Sequence, residues 1–489
     1  MKNRLAPLAF GLLLALPLCT SQAATAAGSR NERLARDYYS RLIATPTPQT
    51  AELTLFANLL PKGGDLHNHY SGAQYAETYL AWIDQQHYCI NPQSSQIQTT
   101  SPTGPDCVSA ADLVNNENAY RTLLQRWSDK DFSNHTQLQP PPDQQFFDTF
   151  GYFGAISGYD TPAGLRLLKE RAKAENVQYL ETMLQSAPAT INPQLAPAID
   201  ALSPDATRAQ FNAAIVPYAD FLANDPGAQK SIADYRERLA GYAKGIDEAD
   251  FTLRFQTYVG RTSAASKVFA GLFAAFAAAQ NNPLIVGVNI VAPENNTVSM
   301  RDYALHMRMF QYLRQRFPGV HISTHAGELA LGMVPPEGLR NHIRQAVEIA
   351  GAERIGHGVD IAHEDNADQL LAELATKNIA IEVNLTSNAF ILGVANDAHP
   401  VTLYARQGVP FVLSTDDPGV SRNNLSGEYL LYITRYKPSY EALKRVVYNS
   451  IRYAFLTPEE KQQQLRKLDE RFASFEARMA KLAKPIQTR

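Results

Sequence analysis

Short apolar runs recur along this chain, and stretches with helical spacing separate most of them. Seven short runs are β-rich, "VQYLETM" (177–183), "FTLRFQTYV" (251–259), "PLIVGVNIV" (283–291), "GVHISTHAG" (319–327), "RIGHGVDI" (354–361), "IAIEVNLTS" (379–387) and "VPFVLSTDD" (409–417), and with "GGDLHNH" (63–69) they make eight candidate strands. The clearest helices between them are "AASKVFAGLFAAFAAAQ" (264–280), "RDYALHMRMFQYLRQRF" (301–317), "GLRNHIRQAVEIAG" (338–351) and "NADQLLAELATKN" (366–378). Eight strand–helix alternations over about 350 residues predict an α/β fold, a (β/α)8 barrel of the TIM type. An open doubly wound sheet would usually carry a Gly-rich phosphate loop after its first strand, and "HNHYSGA" is no such loop.

The flanks read differently. Residues 25–60 form a helical arm, with apolar residues at helical spacing in "RLARDYYSRLIA" (33–44) and "TAELTLFANLL" (50–60). This arm is expected either to pair two copies into a homodimer or to cover the barrel bottom. The barrel then occupies 61–489, interrupted after strand one by a polar, Pro-rich insertion over about 84–145 that resembles a loop excursion or lid. From "NNLSGEYLLYITRY" onward the chain reads as helical packing.

Composition narrows the function. The 489 residues are 45% hydrophobic, enough for a large core, and a formal charge of -3 gives no field to recruit nucleic acid or anionic lipid. A small molecule is the expected partner. Lys2, Arg4, the apolar 5–19 and the small residues of 21–28 read as an export signal over 1–24, directing the protein to the periplasm or the exterior. The alternative is an N-terminal membrane anchor. Of three cysteines, Cys19 falls in that signal. Cys89 and Cys107 remain, either as a disulfide stapling the insertion or as two free thiols.

The candidate chemistry gathers at strand ends. Strand alternation points His67 and His69 the same way, with Asp65 below them. His325 and Glu328 end strand five, His357 ends strand six, and Asp416 and Asp417 end strand eight. In a barrel these ends share one mouth, so several imidazoles and three carboxylates meet in one concavity. Three histidines and an aspartate suit a single Zn²⁺ and leave one position for water. Two adjacent aspartates reach one site only if the strand ends or bulges there. The remaining histidines, His306 and His342 on helices and His87, His135, His363 and His399 in loops, are expected to be structural. So is His321, expected to pack below the site.

Taken together and in order, "PKGGDLHNH", "STHAGE", "RIGHGVDI", "NLTSN" and "STDDPG" resemble the adenosine deaminase family of the amidohydrolase superfamily. The resemblance spans about residues 60–465 and includes "NSIRYAFLTPEEK" (449–461). The signal, arm and stapled insertion are similar to its secreted, growth-factor-related branch. The resemblance implies His67, His69, His325 and Asp416 as ligands of one zinc. It implies Glu328 as the proton donor to purine N1, His357 as the group that orients and deprotonates the attacking water, and Asp417 as the holder of that oxygen and of the N7 side of the ring. "FFDTF" (146–150) resembles the aromatic gate over substrate, with Phe146 and Phe150 on one helical face; the alternative is core packing. Two positions depart from the pattern. Ser71 stands where an acid usually contacts ribose, and Ala292 where a glycine usually offers its N–H to purine N3; Glu294 matches a recurrent acid nearby. "GVNIVAPEN" has no bridging Lys, so one metal is expected. The implied reaction is deamination of adenosine, and of 2′-deoxyadenosine, to inosine and ammonia. The alternatives are another aminopurine such as adenine or aminodeoxyfutalosine, other amidohydrolase chemistry, or a catalytically dead, secreted nucleoside-binding or signalling protein.

Overall fold

A computed structural model describes residues 19–99, 106–132 and 139–483. Most of the expected export signal (1–18) and His135 lie outside the described residues. Eight parallel strands follow one another in chain order: β1 Gly63–His69, β2 Val177–Ser186, β3 Thr252–Gly260, β4 Ile285–Val291, β5 His321–Ala326, β6 Arg354–His357, β7 Ala380–Val383 and β8 Phe411–Leu413. The ring closes where Asp416 N donates to His67 O and His69 N to Asp416 O, both at 2.9 Å. This is the expected (β/α)8 barrel.

The wall helices follow from their sequences. Ala265–Ala279 carries Ala, Phe and Leu almost all round and is buried almost all round, between β3, β4 and the helix Thr297–Arg316. Two long helices, Arg208–Asn224 and Pro226–Ala243, join β2 to β3. The stretch expected as one helix over 338–351 is instead a 3₁₀ turn (Pro336–Leu339), a short helix (His342–Gln345) and a π-turn (Ala346–Ala350) that ends at Gly351 with φ +76°.

Helices close the barrel bottom. Tyr440–Arg452 packs under β1 and β8, and Pro458–Leu482 starts from a reciprocal cap between Thr457 and Glu460. The arm helix Cys19–Ile43 lies along Pro458–Leu482. Its Tyr39 packs on Phe56 and Tyr440, ring centroids 5.1 and 6.0 Å away, and donates to Pro438 O. This face of the arm is thus buried against its own chain. His321 packs at the same end, stacked on Phe455 and paired with Glu353 at 2.9 Å.

The insertion is a folded cap rather than a loose excursion. Cys89–Ile90 pairs antiparallel with Ile97–Gln98 and Val108–Ser109, and a Cys89–Cys107 disulfide ties the sheet. Helices Ala110–Asn115, Glu117–Arg126 and Pro142–Phe153 follow. Trp82, Ile90, Leu113, Leu123, Trp127 and Phe153 make a core of their own, which Ile391 from the helix Leu385–Leu392 and Val420 join. The cap therefore sits on the barrel mouth. No helix among the described residues is long and apolar enough to cross a membrane.

Candidate metal and active site

Strand geometry brings the predicted ligands together. His67 and His69 share a face of β1, and His69 Nε2 lies 3.1 Å from His325 Nε2. Asp416 Oδ1 stands 3.4 Å from His67 Nε2 and 3.3 Å from His69 Nε2. Single ligand atoms of His67, His325, His357 and Asp416 lie within 4.8 Å of one another. Room for the His67 ring comes from Gly356 on β6, where a Cβ would meet Cε1 at 2.7 Å. Asp65 is not below the histidine pair. An irregularity in β1 between Asp65 and Asn68 breaks the alternation, and Asp65 is held elsewhere by Thr415 N and Oγ1.

The chain bends hard to achieve this. β8 ends at Leu413, and Asp416 takes φ +59°, so that both it and Asp417 line the cavity. His357 (φ +69°) and Ala292 (φ +84°) are left-handed too, and line the same cavity. For a residue with a Cβ this conformation costs about 1–2 kcal/mol. Three such residues around one concavity mark it as a functional site, where strain of this kind concentrates.

Hydrogen bonds outside the cluster prepare two imidazoles for a cation. His67 Nδ1 donates to Glu382 Oε2 at 2.7 Å, and its Nε2, fully buried, finds no hydrogen-bond partner among the described residues. His325 Nδ1 donates to Asn289 Oδ1 at 2.9 Å, an oxygen that Ile290 N–H identifies by donating to it. Each Nε2 therefore presents a lone pair to the same point, the arrangement metal-bound histidines adopt. Glu382 accepts from Arg354 and Ser323 as well. Burial would raise its carboxyl, but Arg354 and His67 outweigh it and hold it at about 2. The donor set, nitrogen and one carboxylate, fits a divalent cation such as zinc.

Glu328 and Asp417 are carboxyls in this buried place. Desolvation first, then neighbouring carboxylates such as Asp416, pushes both well above the usual range. Glu328 Oε1 lies 3.6 Å from His357 Nε2, and burial holds His357 down at about 3. A carboxyl and an imidazole, whose neutral forms burial favours, thus face one another across the cavity.

That cavity measures about 420 Å³. Ser71, Phe146, Phe150 and Ala292 line it, as expected, with Phe147 and Tyr258. Glu294 does not line it. Its carboxylate accepts from Gly327 N, Glu328 N and His342 Nδ1, and so fixes the turn that carries Glu328. His342, expected to be structural, supports the site in this way, stacked on Tyr303. Glu382, Arg354 and Asn289 were missed in the sequence. The signal for them was a polar side chain inside an otherwise apolar strand, as in "IAIEVN", "ERIGHG" and "VGVNIV".

Fold and site together define a (β/α)8 barrel with a histidine–aspartate cluster at its mouth that could hold a metal ion. Residues 236–471 match the adenosine deaminase family. Adenosine deaminase of Escherichia coli O7:K1 is 41% identical over 149 residues, 30% of this chain and 41% of that protein. The aligned part thus spans well under half the length of this relative. Among solved structures, an amidohydrolase from Burkholderia ambifaria with bound Zn is 19% identical, with a TM-score of 0.53 over 88% of this chain and 94% of its own. Arabidopsis ADAL complexed with IMP is 17% identical, with a TM-score of 0.55 over 85% and 97%. These two share the fold. Over residues 236–471 the chain is thus similar to the adenosine deaminases.

Proposed function

We propose that the protein is a zinc-dependent aminohydrolase that converts adenosine, and 2′-deoxyadenosine, to inosine and ammonia. One observation carries the reading: the buried Glu328 lies in one cavity with members of the histidine–aspartate cluster and a wall of aromatic rings. His67, His69, His325 and Asp416 would hold the cation. When bound, zinc lowers the pKa of water toward ~7 and so supplies a nucleophile at neutral pH. The chain's own groups account for the rest. Phe146, Phe147, Phe150 and Tyr258 stack on or cover a flat purine and exclude solvent. Attack of oxygen on C6 drives electron density onto N1, and Glu328 meets it with a proton. Asp417 holds the attacking oxygen. Water adds OH to C6 and its other proton restores Glu328; the hydroxyl proton then leaves with the amine as ammonia.

Nucleoside is favoured over nucleotide by the lining itself. Among the described residues around the cavity there is no Lys or Arg to neutralise a phosphate. Ser71 in place of an acid gives a neutral sugar contact, which suits ribose and deoxyribose alike. Export to an oxidising compartment is supported by the apolar 5–19 segment and by the Cys89–Cys107 bond. Ammonia release from adenosine, deoxyadenosine, adenine, AMP and guanosine by the purified mature protein tests the assignment. Adenosine and deoxyadenosine are expected to lead; a preference for AMP or adenine would overturn it.

A further inference from the structure

A polar chain runs outward behind His357, and the backbone fixes its direction. Val401 N–H is only a donor, and it donates to His399 Nδ1 at 3.2 Å. Buried, with its pKa held down at about 4 chiefly by desolvation, His399 is neutral and carries its one ring proton on Nε2. That Nε2 donates to Asn388 Oδ1 at 3.1 Å. The Asn388 amide is thereby oriented, its oxygen toward His399 and its nitrogen toward His357 Nδ1, 2.9 Å away. The flipped amide would set one donor against another. Asn384 Nδ2 approaches the same His357 nitrogen at 3.5 Å, a second donor side. An imidazole nitrogen that accepts an N–H holds a lone pair, so the ring proton of neutral His357 sits on Nε2. Nε2 is the nitrogen that faces Glu328, and it finds no hydrogen-bond partner among the described residues.

We propose that Asn388 and His399 are positioning residues that lock His357 in the Nε2–H form, so that His357 donates a hydrogen bond to the attacking oxygen and does not take its proton. This reverses the role that the family resemblance suggested for His357. It rests on the deaminase reading above. The bonding balances without a histidine base: Glu328 gives its proton to N1, the proton that water sheds on attack restores Glu328, and the hydroxyl proton leaves with the amine as ammonia.

Asn388→Asp tests the lock. The aspartate keeps the shape and still accepts from His399, but it offers His357 Nδ1 only acceptors and so draws the ring proton to the wrong side. In the zinc-loaded variant kcat is expected to fall about 10²-fold or more, as wrong-tautomer histidines do, while KM for adenosine and zinc content stay near wild type. A kcat kept or raised would overturn the proposal, because a His–Asp pair is what a base would want. A second measurement needs no variant to be active. In ¹⁵N-histidine-labelled, zinc-loaded wild type, with the His357 signals assigned from their loss in His357→Asn, the proton is expected on Nε2; a proton on Nδ1 would overturn the lock. Wild type that releases no ammonia from any aminopurine would refute the deaminase reading and leave this tautomer result standing.

Discussion

Gly72→Ala probes how closely the cavity floor is built around Asp417. A Cβ at residue 72 would lie 1.6 Å from Asp417 Oδ1 and 2.4 Å from its Cγ. Non-bonded heavy atoms rest about 3.5 Å apart, so the carboxylate must withdraw by about 2 Å. It has little freedom to do so by moving the backbone, because Asp417 O accepts from both Val420 N and Ser421 N, and Gly72 O from Gly419 N and Val420 N. Turning the side chain frees Oδ1 and Cγ, but the Asp417 Cβ, 2.6 Å from the new methyl, must shift as well, so the carboxylate is carried away from the reacting oxygen. A displacement of about 1 Å at a reacting group costs about 10²-fold in rate, which is about 2.7 kcal/mol of transition-state stabilisation. Overpacking adds about 1–3 kcal/mol of lost stability. The assay is steady-state deamination of adenosine, with zinc content and thermal unfolding measured on the same samples. The expected variant is folded and carries zinc, but has kcat lowered about 10²-fold. Gly151→Ala is the control, since a Cβ there meets nothing within 4 Å. Activity of Gly72→Ala within about twofold of wild type would refute the claim that Asp417 acts from this position.

Three further outcomes follow from the same physics. Glu382→Gln keeps an acceptor for Arg354 but removes the charge that polarises His67, so zinc affinity measured by chelator competition should fall about 10–100-fold; unchanged affinity would mean that Glu382 serves only the fold. Glu428, which accepts from Leu385 N and Thr386 N, is pushed up to about 7, chiefly by burial. A carboxyl raised in the folded state binds more protons there than in the unfolded chain. Its contribution is therefore full below about pH 4.5 and is lost as pH rises through about 7. Relative to wild type, Glu428→Gln should gain about 2 kcal/mol of unfolding free energy between pH 5 and 7.5; a flat difference would contradict the burial argument. Cys89→Ser/Cys107→Ser opens a loop with a sequence separation of 18 and should cost about 3 kcal/mol in denaturant unfolding of the cap, with less effect on the barrel.

What could be read from the sequence was what depends on periodicity. Most of the barrel strands stood out because buried parallel strands are near-continuous apolar runs, and their polar last residues fell at the mouth by topology alone. Hence His67, His69, His325, Glu328, His357, Asp416 and Asp417 could be grouped before any coordinate was known. Features set by tertiary contact were hidden. The π-turn at Ala346–Ala350 has helical periodicity in sequence but bends where the chain turns into β6. The cap strands are two residues long, too short for any alternation to register. Asp65 carried the parity of His67 and His69, yet an irregularity in β1 between Asp65 and Asn68 breaks it, and Thr415 holds the carboxylate. Glu294 looked like a pocket acid because it lies two residues from Ala292, but its carboxylate turns to the backbone of Gly327 and Glu328. His399 looked incidental in a loop, and only the hydrogen-bond chain from Val401 shows what it faces.

The central claim is that distant strand ends cage one zinc that makes water reactive toward a purine amine. Its most direct test is metal content and ammonia release from adenosine on one preparation, before chelation, after chelation, and after zinc is returned. The account predicts one zinc per chain, loss of ammonia release when the metal is stripped, and recovery on adding zinc back. Undiminished ammonia release from metal-free protein, or none from the fully zinc-loaded protein, would contradict it.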